Sequence, residues 1–213
     1  KMYLAHIRTI MQENFVNQDY FVRGQSLQNL IDQAVQSDTN KFYTYLNFQN
    51  NLNSTVNNII DYPGISDLMN SRLYYLRSYS GYNHNLIIDS VIESTNNISI
   101  GDDLWITANV EDATQVDLFY RSTNYGVFQE INMLDDGNNN DGLSGDLTYG
   151  AKISNIGNQT QYYIYAENDS SGLFSPKRAA YEFYEHVLPI NNGNIVINEL
   201  LISHYLHCRL KLI

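Results

Sequence analysis

The chain has 213 residues, 43% of them hydrophobic, and 23 acids against 12 Lys and Arg give a net charge of −11. That hydrophobic share excludes a disordered chain, and no apolar run approaches the ~20 residues a helical membrane span needs. A single cysteine, Cys208, excludes an internal disulfide.

The charge is uneven. Residues 1–80 hold six acids and six bases, residues 86–188 hold sixteen acids and four bases, and the tail holds one acid and two bases. So acidic a central stretch repels nucleic acid and anionic membrane, and neither is an expected partner. Eighteen Tyr, 28 Asn and only three Pro suit a β-rich chain with polar turns.

Lys1-Met2-Tyr3 runs straight into a first apolar stripe of Leu4, Ile7, Met11 and Phe15, at helical spacing. A front cut from a longer chain is the expectation. A second helix carries Leu27, Leu30, Ile31, Ala34 and Val35 and stops at Asp38-Thr39-Asn40. A third carries Phe48, Leu52 and Val56, with Thr44 as its N-cap. After Tyr62-Pro63-Gly64 comes a fourth with Ile65, Leu68, Met69, Leu73 and Leu76, starting from Gly64 or Ser66. About 80 residues of helix make a small core, so exposed apolar surface is expected.

Residues 81–85 read as a linker, beyond which the period changes from 3.6 to 2. Strands are predicted over 86–93, 104–110, 116–120, 127–133, 148–153, 162–166 and 180–187, with 168–172 as a turn. Seven short strands in about 100 residues predict an antiparallel immunoglobulin-like or fibronectin-like β-sandwich over 86–188. The fold class is thus α + β and multidomain, an N-terminal helical segment followed by an all-β sandwich. Without a disulfide, packing must hold it, and Trp105 and the tyrosines are the core and rim candidates.

The most site-like stretch is 134–150, Leu-Asp-Asp-Gly-Asn-Asn-Asn-Asp-Gly-Leu-Ser-Gly-Asp-Leu-Thr-Tyr-Gly. Asp135, Asp136, Asn138, Asn140, Asp141 and Asp146 offer more oxygens than the roughly 6–8 that Ca²⁺ takes, so a structural Ca²⁺ is one expectation. The EF-hand pattern fails, because it would place Gly137 at the first Asp and Thr148 at the bidentate Glu. The other reading is a loop whose Asp and Asn side chains cap its own turns.

Other constellations are weaker. Tyr163, Tyr165, Tyr181 and Phe183 stand where exposed rings of a strand face would stack on a glycan, or would pair with one another across strands. His204, His207 and Cys208 have metal-binding residue types but no fourth ligand nearby. His6 lies beside an apolar stripe and reads as a packing residue, and His84 as a solvated linker residue. Asp102-Asp103 and Glu111-Asp112 read as turn punctuation. Asn53, Asn97, Asn158 and Asn168 head Asn-x-Ser/Thr triplets, a short motif in so Asn-rich a chain.

Several blocks together resemble a known family. Lys1-Met2-Tyr3-Leu4-Ala5-His6-Ile7-Arg8-Thr9-Ile10, Leu27-Gln28-Asn29-Leu30-Ile31-Asp32, Lys41-Phe42-Tyr43-Thr44-Tyr45, Tyr62-Pro63-Gly64-Ile65 and Arg72-Leu73-Tyr74-Tyr75-Leu76 resemble, in order, the C-terminal helices of CotH-type spore-coat kinases. The likeness is closest to large secreted bacterial versions such as those of the Bacteroidetes. Residues 86–188 resemble the sandwich that often follows in that family, and 193–200 the first strand of a lamin-tail domain.

The resemblance implies an extracellular or cell-surface parent that transfers phosphate from ATP to protein Ser or Thr, with Mg²⁺. The family's nucleotide-binding and catalytic aspartates lie upstream of these helices. No position here matches them, so no catalytic or cofactor-binding residue is carried over. The resulting expectation is a fragment inactive alone, partnered by the upstream kinase-like half. An extracellular adhesion or glycan-binding module is the alternative. Residues 201–213 lose their acids and their Asn, which leads us to expect a shifted reading frame or a gene-fragment end.

Overall fold

The structure, a computed structural model, describes residues 1–58, 60–94 and 98–188. Helix α1 (Met2–Ile10) continues into a π-helical turn, Met11–Val16. Gln18, at φ 58°, breaks the axis before α2 (Asp19–Ser37). Thr44 caps α3 (Tyr45–Asn50), its Oγ1 accepting from Asn47 N at 3.1 Å. Leu52 and Val56 continue the predicted stripe but lie beyond this short helix. Both are buried, and Val56 pairs with Tyr62 in an isolated antiparallel bridge. Gly64 begins α4 (Ile65–Ser78), where a Cβ would fall 2.5 Å from the Ser54 backbone nitrogen.

The sandwich has two antiparallel sheets. Strands β1 (Ile87–Glu93), β2 (Leu104–Glu111) and β5 (Thr148–Ile153) form the smaller, in the order β1-β2-β5. The larger runs β4-β3-β6-β7, from β4 (Gln129–Asn132), β3 (Gln115–Arg121), β6 (Gln159–Glu167) and β7 (Gly172–Ser175). An eighth strand, β8 (Tyr184–Val187), pairs with the first half of the same β6 edge that β7 pairs with at its second half.

This departs from the seven predicted strands by one added strand and at several ends, β6 starting at Gln159 rather than 162 and β4 spanning Gln129–Asn132 rather than 127–133. Glycine at 172 reads as the end of a turn, yet β7 starts there. Pro176 has no N–H to continue the ladder, so residues 176–183 leave the sheet in turns and the closing strand starts at Tyr184, not at 180.

Alternation places the core. Leu104, Ile106, Ala108 and Val110 of β2 face Val116 and Leu118 of β3 and Tyr162, Ile164 and Ala166 of β6. Met133 and Ile156 close the ends. Glu93 on β1 ties the two sheets together, accepting from the Tyr162 hydroxyl at 2.8 Å and lying 2.6 Å from His186 Nδ1. Trp105 sits at the rim, half-buried, with Lys152 Nζ 5.7 Å from its ring centroid.

The helical segment is not set apart from the sandwich. Helix α1 lies on the outer face of the larger sheet, where Ala5 joins Tyr163, Tyr165 and Phe174 in a second apolar cluster. His6 stacks on Phe174 at 4.6 Å, as a packing residue. Arg8 donates to Gly81 O at 3.0 Å and to Gly172 O, which draws the start of the predicted linker into the contact. Ion pairs Lys1–Glu167 (3.0 Å) and Arg178–Glu13 (2.8 Å) lie alongside. Helices α2 and α4, by contrast, bury none of their residues. Leu30, Phe42 and Tyr74 stand open to solvent, Phe42 at 95%, which meets the expectation of exposed apolar surface.

Candidate functional site: an aromatic–arginine strip beside a self-capped loop

The aspartate loop leaves β4 and returns into β5, and the structure brings its acids together around backbone N–H groups. Asp141, only 1% exposed, accepts from Asp136 N (2.7 Å), Gly137 N (2.8 Å) and Asn139 N (2.7 Å). Asp135 accepts from Gly145 N (2.7 Å) and Leu147 N (3.0 Å), and Asp146 from Leu143 N (3.1 Å) and Thr148 N (2.9 Å). Asp136 accepts from Asn138 N and from the Asn139 amide, both at 2.9 Å. Asn140 holds a left-handed turn at φ 59°.

Burial acts to raise the Asp141 pKa, but the N–H groups of Gly137, Asn139 and Asp136 together outweigh it and hold the carboxyl below its ordinary range. The N–H groups of Leu143 and Thr148 lower Asp146 likewise. Each predicted carboxylate ligand therefore caps a turn of its own loop. Among the described residues, no group of three or more His, Cys, Asp or Glu is arranged to hold a metal ion. His204, His207, Cys208 and the lamin-tail-like strand lie outside the described residues.

A second assembly occupies the half of the larger sheet's outer face that α1 does not cover. Side chains of Arg121 on β3, Gln161 on β6 and Glu185 on β8 form one row across the register Arg121↔Gln161↔Glu185. Arg121 Nε donates to Gln161 Oε1 at 2.7 Å, and Gln161 Nε2 donates to Glu185 Oε1 at 2.8 Å and Asn124 Oδ1 at 3.3 Å. The Arg121 guanidinium lies 4.4 Å from the Phe128 ring centre and 5.2 Å from that of Phe183. One row further along β6, Phe119 and Tyr163 stack at 4.9 Å with planes 8° apart, and Phe128 meets Tyr163 edge-on at 4.8 Å.

The rings are fixed by contact with one another. Phe119, Phe128 and Phe183 remain half-buried, so part of each meets solvent. Such an array presents flat apolar faces next to a planar cation, the Asn124 amide and a carboxylate, with the Gln161 amide buried beneath them as the link between Arg121 and Glu185. It can hold an extended ligand that has both C–H faces and hydroxyl groups.

The sequence-based choice of rings is corrected in part. Tyr163 and Tyr165 are buried, Tyr165 at 2%: α1 and Phe174 cover Tyr165, while Phe119, Phe128 and Phe174 pack around Tyr163 at the border between the two halves. Their alternation is as expected, but they pack rather than project. The Tyr165 hydroxyl donates to Glu167 Oε2 at 2.7 Å, and burial followed by that carboxylate raises its pKa. Tyr181 is 85% exposed on the 176–183 turn, and Phe183 joins the strip. Arg121, Phe119, Phe128, Asn124, Gln161 and Glu185 were missed. The available signal was Arg121 closing the outward series Asp117, Phe119, Arg121, as the one Lys or Arg in the strands of the larger sheet.

No protein-family model and no curated protein matches the chain. Among solved structures it is similar to the Br derivative of BhCBM56, at 13% identity and a TM-score of 0.32, over 46% of this chain and 91% of that one. It is also similar to a GH family 64 laminaripentaose-producing β-1,3-glucanase from Paenibacillus barengoltzii, complexed with laminarihexaose. That likeness has 15% identity and a TM-score of 0.32, over 46% of this chain and 20% of that one. At this depth the likeness concerns less than half of the chain and specifies no ligand.

Proposed function

We propose that the sandwich is a non-catalytic recognition module for a neutral, extended glycan, which lies along the strip of Phe119, Phe128, Arg121, Gln161 and Phe183. The observation that carries this reading is the guanidinium of Arg121 packed against two half-exposed rings beside a row of amide and carboxylate groups. Sugar C–H faces stack on the rings, and hydroxyls exchange hydrogen bonds with Arg121, Asn124 and Glu185, while the buried Gln161 holds Arg121 and Glu185 in place. The net charge of −12 over 86–188, sixteen acids against four bases, selects against polyanionic glycans. A panel of neutral glucan and xylan hexasaccharides, titrated calorimetrically, tests it. Phe128→Ala and Arg121→Ala are each expected to weaken binding by ~10-fold or more. Absence of binding to every oligosaccharide of the panel ends the reading.

A second reading concerns the helical segment and rests on a separate observation, the unburied apolar faces of α2 and α4. In it, residues 1–80 are the closing helices of a larger CotH-like kinase domain, and the sandwich is carried rigidly by α1 as an accessory module. ATP and Mg²⁺ belong to the upstream half, so this chain alone turns over no ATP. Measurable ATP hydrolysis or Ser/Thr phosphorylation by the purified chain would refute it. A soluble complex with the upstream half, formed on co-expression, supports it.

A further inference from the structure

A cleft of about 380 Å³ lies between α1 with its π-helical turn, the segment Tyr82–His84 and the first residues after β7. Its walls include Arg8, His84, Lys177, Gln12, Asn83 and Glu13. The charges do not balance. Glu13 is the one acid, and its Oε2 is held by Arg178 Nε at 2.8 Å. Lys177 makes no ion pair among the described residues, and His84 turns Nδ1 to Leu86 O at 3.1 Å.

Arg8 is the informative residue. It is 8% exposed, and its guanidinium meets the carbonyls of Gly81, Tyr82 and Gly172. No carboxylate of the described residues lies within ion-pair distance of it. A buried cation is ordinarily neutralised by an acid or a bound anion, because carbonyl dipoles solvate the charge without cancelling it. Burial lowers the Arg8 pKa, yet a guanidinium stays charged. His84 is pushed down by burial and then by the positive charges of Arg8 and Lys177, so the three bases share one local field. Residues 86–188 carry only four Lys and Arg, and Lys177 is one of them.

We propose that this cleft binds a small molecule bearing an oxyanion, a carboxylate or a phosphate group. Arg8 supplies the fixed charge, Lys177 approaches the anion from the solvent side, and His84 lines the wall beside them. The volume falls in the ~300–1,000 Å³ range of small-molecule sites, so the anion is carried on a body of about monosaccharide size. Gln12 and Asn83 are placed to bond that polar body. The site is distinct from the aromatic strip and depends on neither reading above.

The experiment titrates the full chain in 0.15 M NaCl at pH 7 with glucuronate, glucose 6-phosphate, inorganic phosphate and, as the neutral control, glucose. Saturable binding of glucuronate or glucose 6-phosphate, and none of glucose, is expected. The preferred arm distinguishes carboxylate from phosphate. Lys177→Gln, at an exposed position, is expected to weaken binding ~5-fold or more and Arg8→Lys ~10-fold or more. Circular dichroism of each variant checks folding. No saturable binding of any anion, or binding unchanged in folded Lys177→Gln, overturns the proposal. Equal shifts with every anion and every variant mean nonspecific ion effects and also overturn it.

Discussion

Asp141 shows at residue scale how one side chain organises a loop. Its carboxylate replaces three backbone partners that the turn cannot supply internally. Asp141→Asn puts an amide N–H against those donors and is expected to cost about 1.5–3 kcal/mol, read by urea denaturation. The loop carboxylates are engaged with backbone N–H groups that Ca²⁺ would have to displace, so millimolar Ca²⁺ is expected to move Tm by less than ~1 °C, and a larger rise would support a Ca²⁺ site.

The pH dependence follows from the same group. The folded pKa values of Asp141, Asp146 and Glu167 lie below their unfolded values, so the native state binds fewer protons. Their contribution is complete above the ordinary carboxylate range near pH 4 and is lost as pH falls through the lowered values. A denaturation series from pH 6 to pH 2 should therefore show stability falling below about pH 4, and less steeply in Asp141→Asn. Gly150 is a steric counterpart. A Cβ there would fall 2.0 Å from Asn139 O, so Gly150→Ala is expected to cost about 1–3 kcal/mol.

At the scale of elements, strands were more legible than their ends. The series Leu104, Ile106, Ala108, Val110 and Tyr162, Ile164, Ala166 alternate so regularly that their faces are readable without coordinates. Strand β7 was not, because four residues starting at Gly172 carry too short a pattern to stand out from a turn. Thr44 was legible as a cap because its side-chain chemistry is local, and Thr44→Ala should raise amide exchange across Tyr45–Asn50 at a cost of about 0.5–2 kcal/mol. The strip was half legible. Tyr163 was on the expected face, but which rings stay open depends on where α1 docks, and that contact joins residues more than 150 positions apart.

For the whole molecule, that docking makes α1 part of the sandwich's stability. A chain beginning at residue 84 would expose Tyr165 and Phe174 and lose the Lys1–Glu167 and Glu13–Arg178 pairs. Its Tm is expected to fall by about 5 °C or more, with increased binding of an apolar dye. An unchanged Tm in the shortened chain would show that the helix merely rests on the sheet.

The sandwich's borders have one more consequence. On one border of the larger sheet β7 and β8 offer four residues each, divided by the 176–183 turn, and on the other β4 offers four. In the smaller sheet β1 is interrupted between Asp89 and Ile92, and Leu134 pairs with Gly150 across the free side of β5. Among the described residues, no border presents a long straight row of unpaired peptide groups to a neighbouring molecule. Strand addition between copies has little to template on, so the fold resists edge-to-edge polymerisation even when many copies are crowded together.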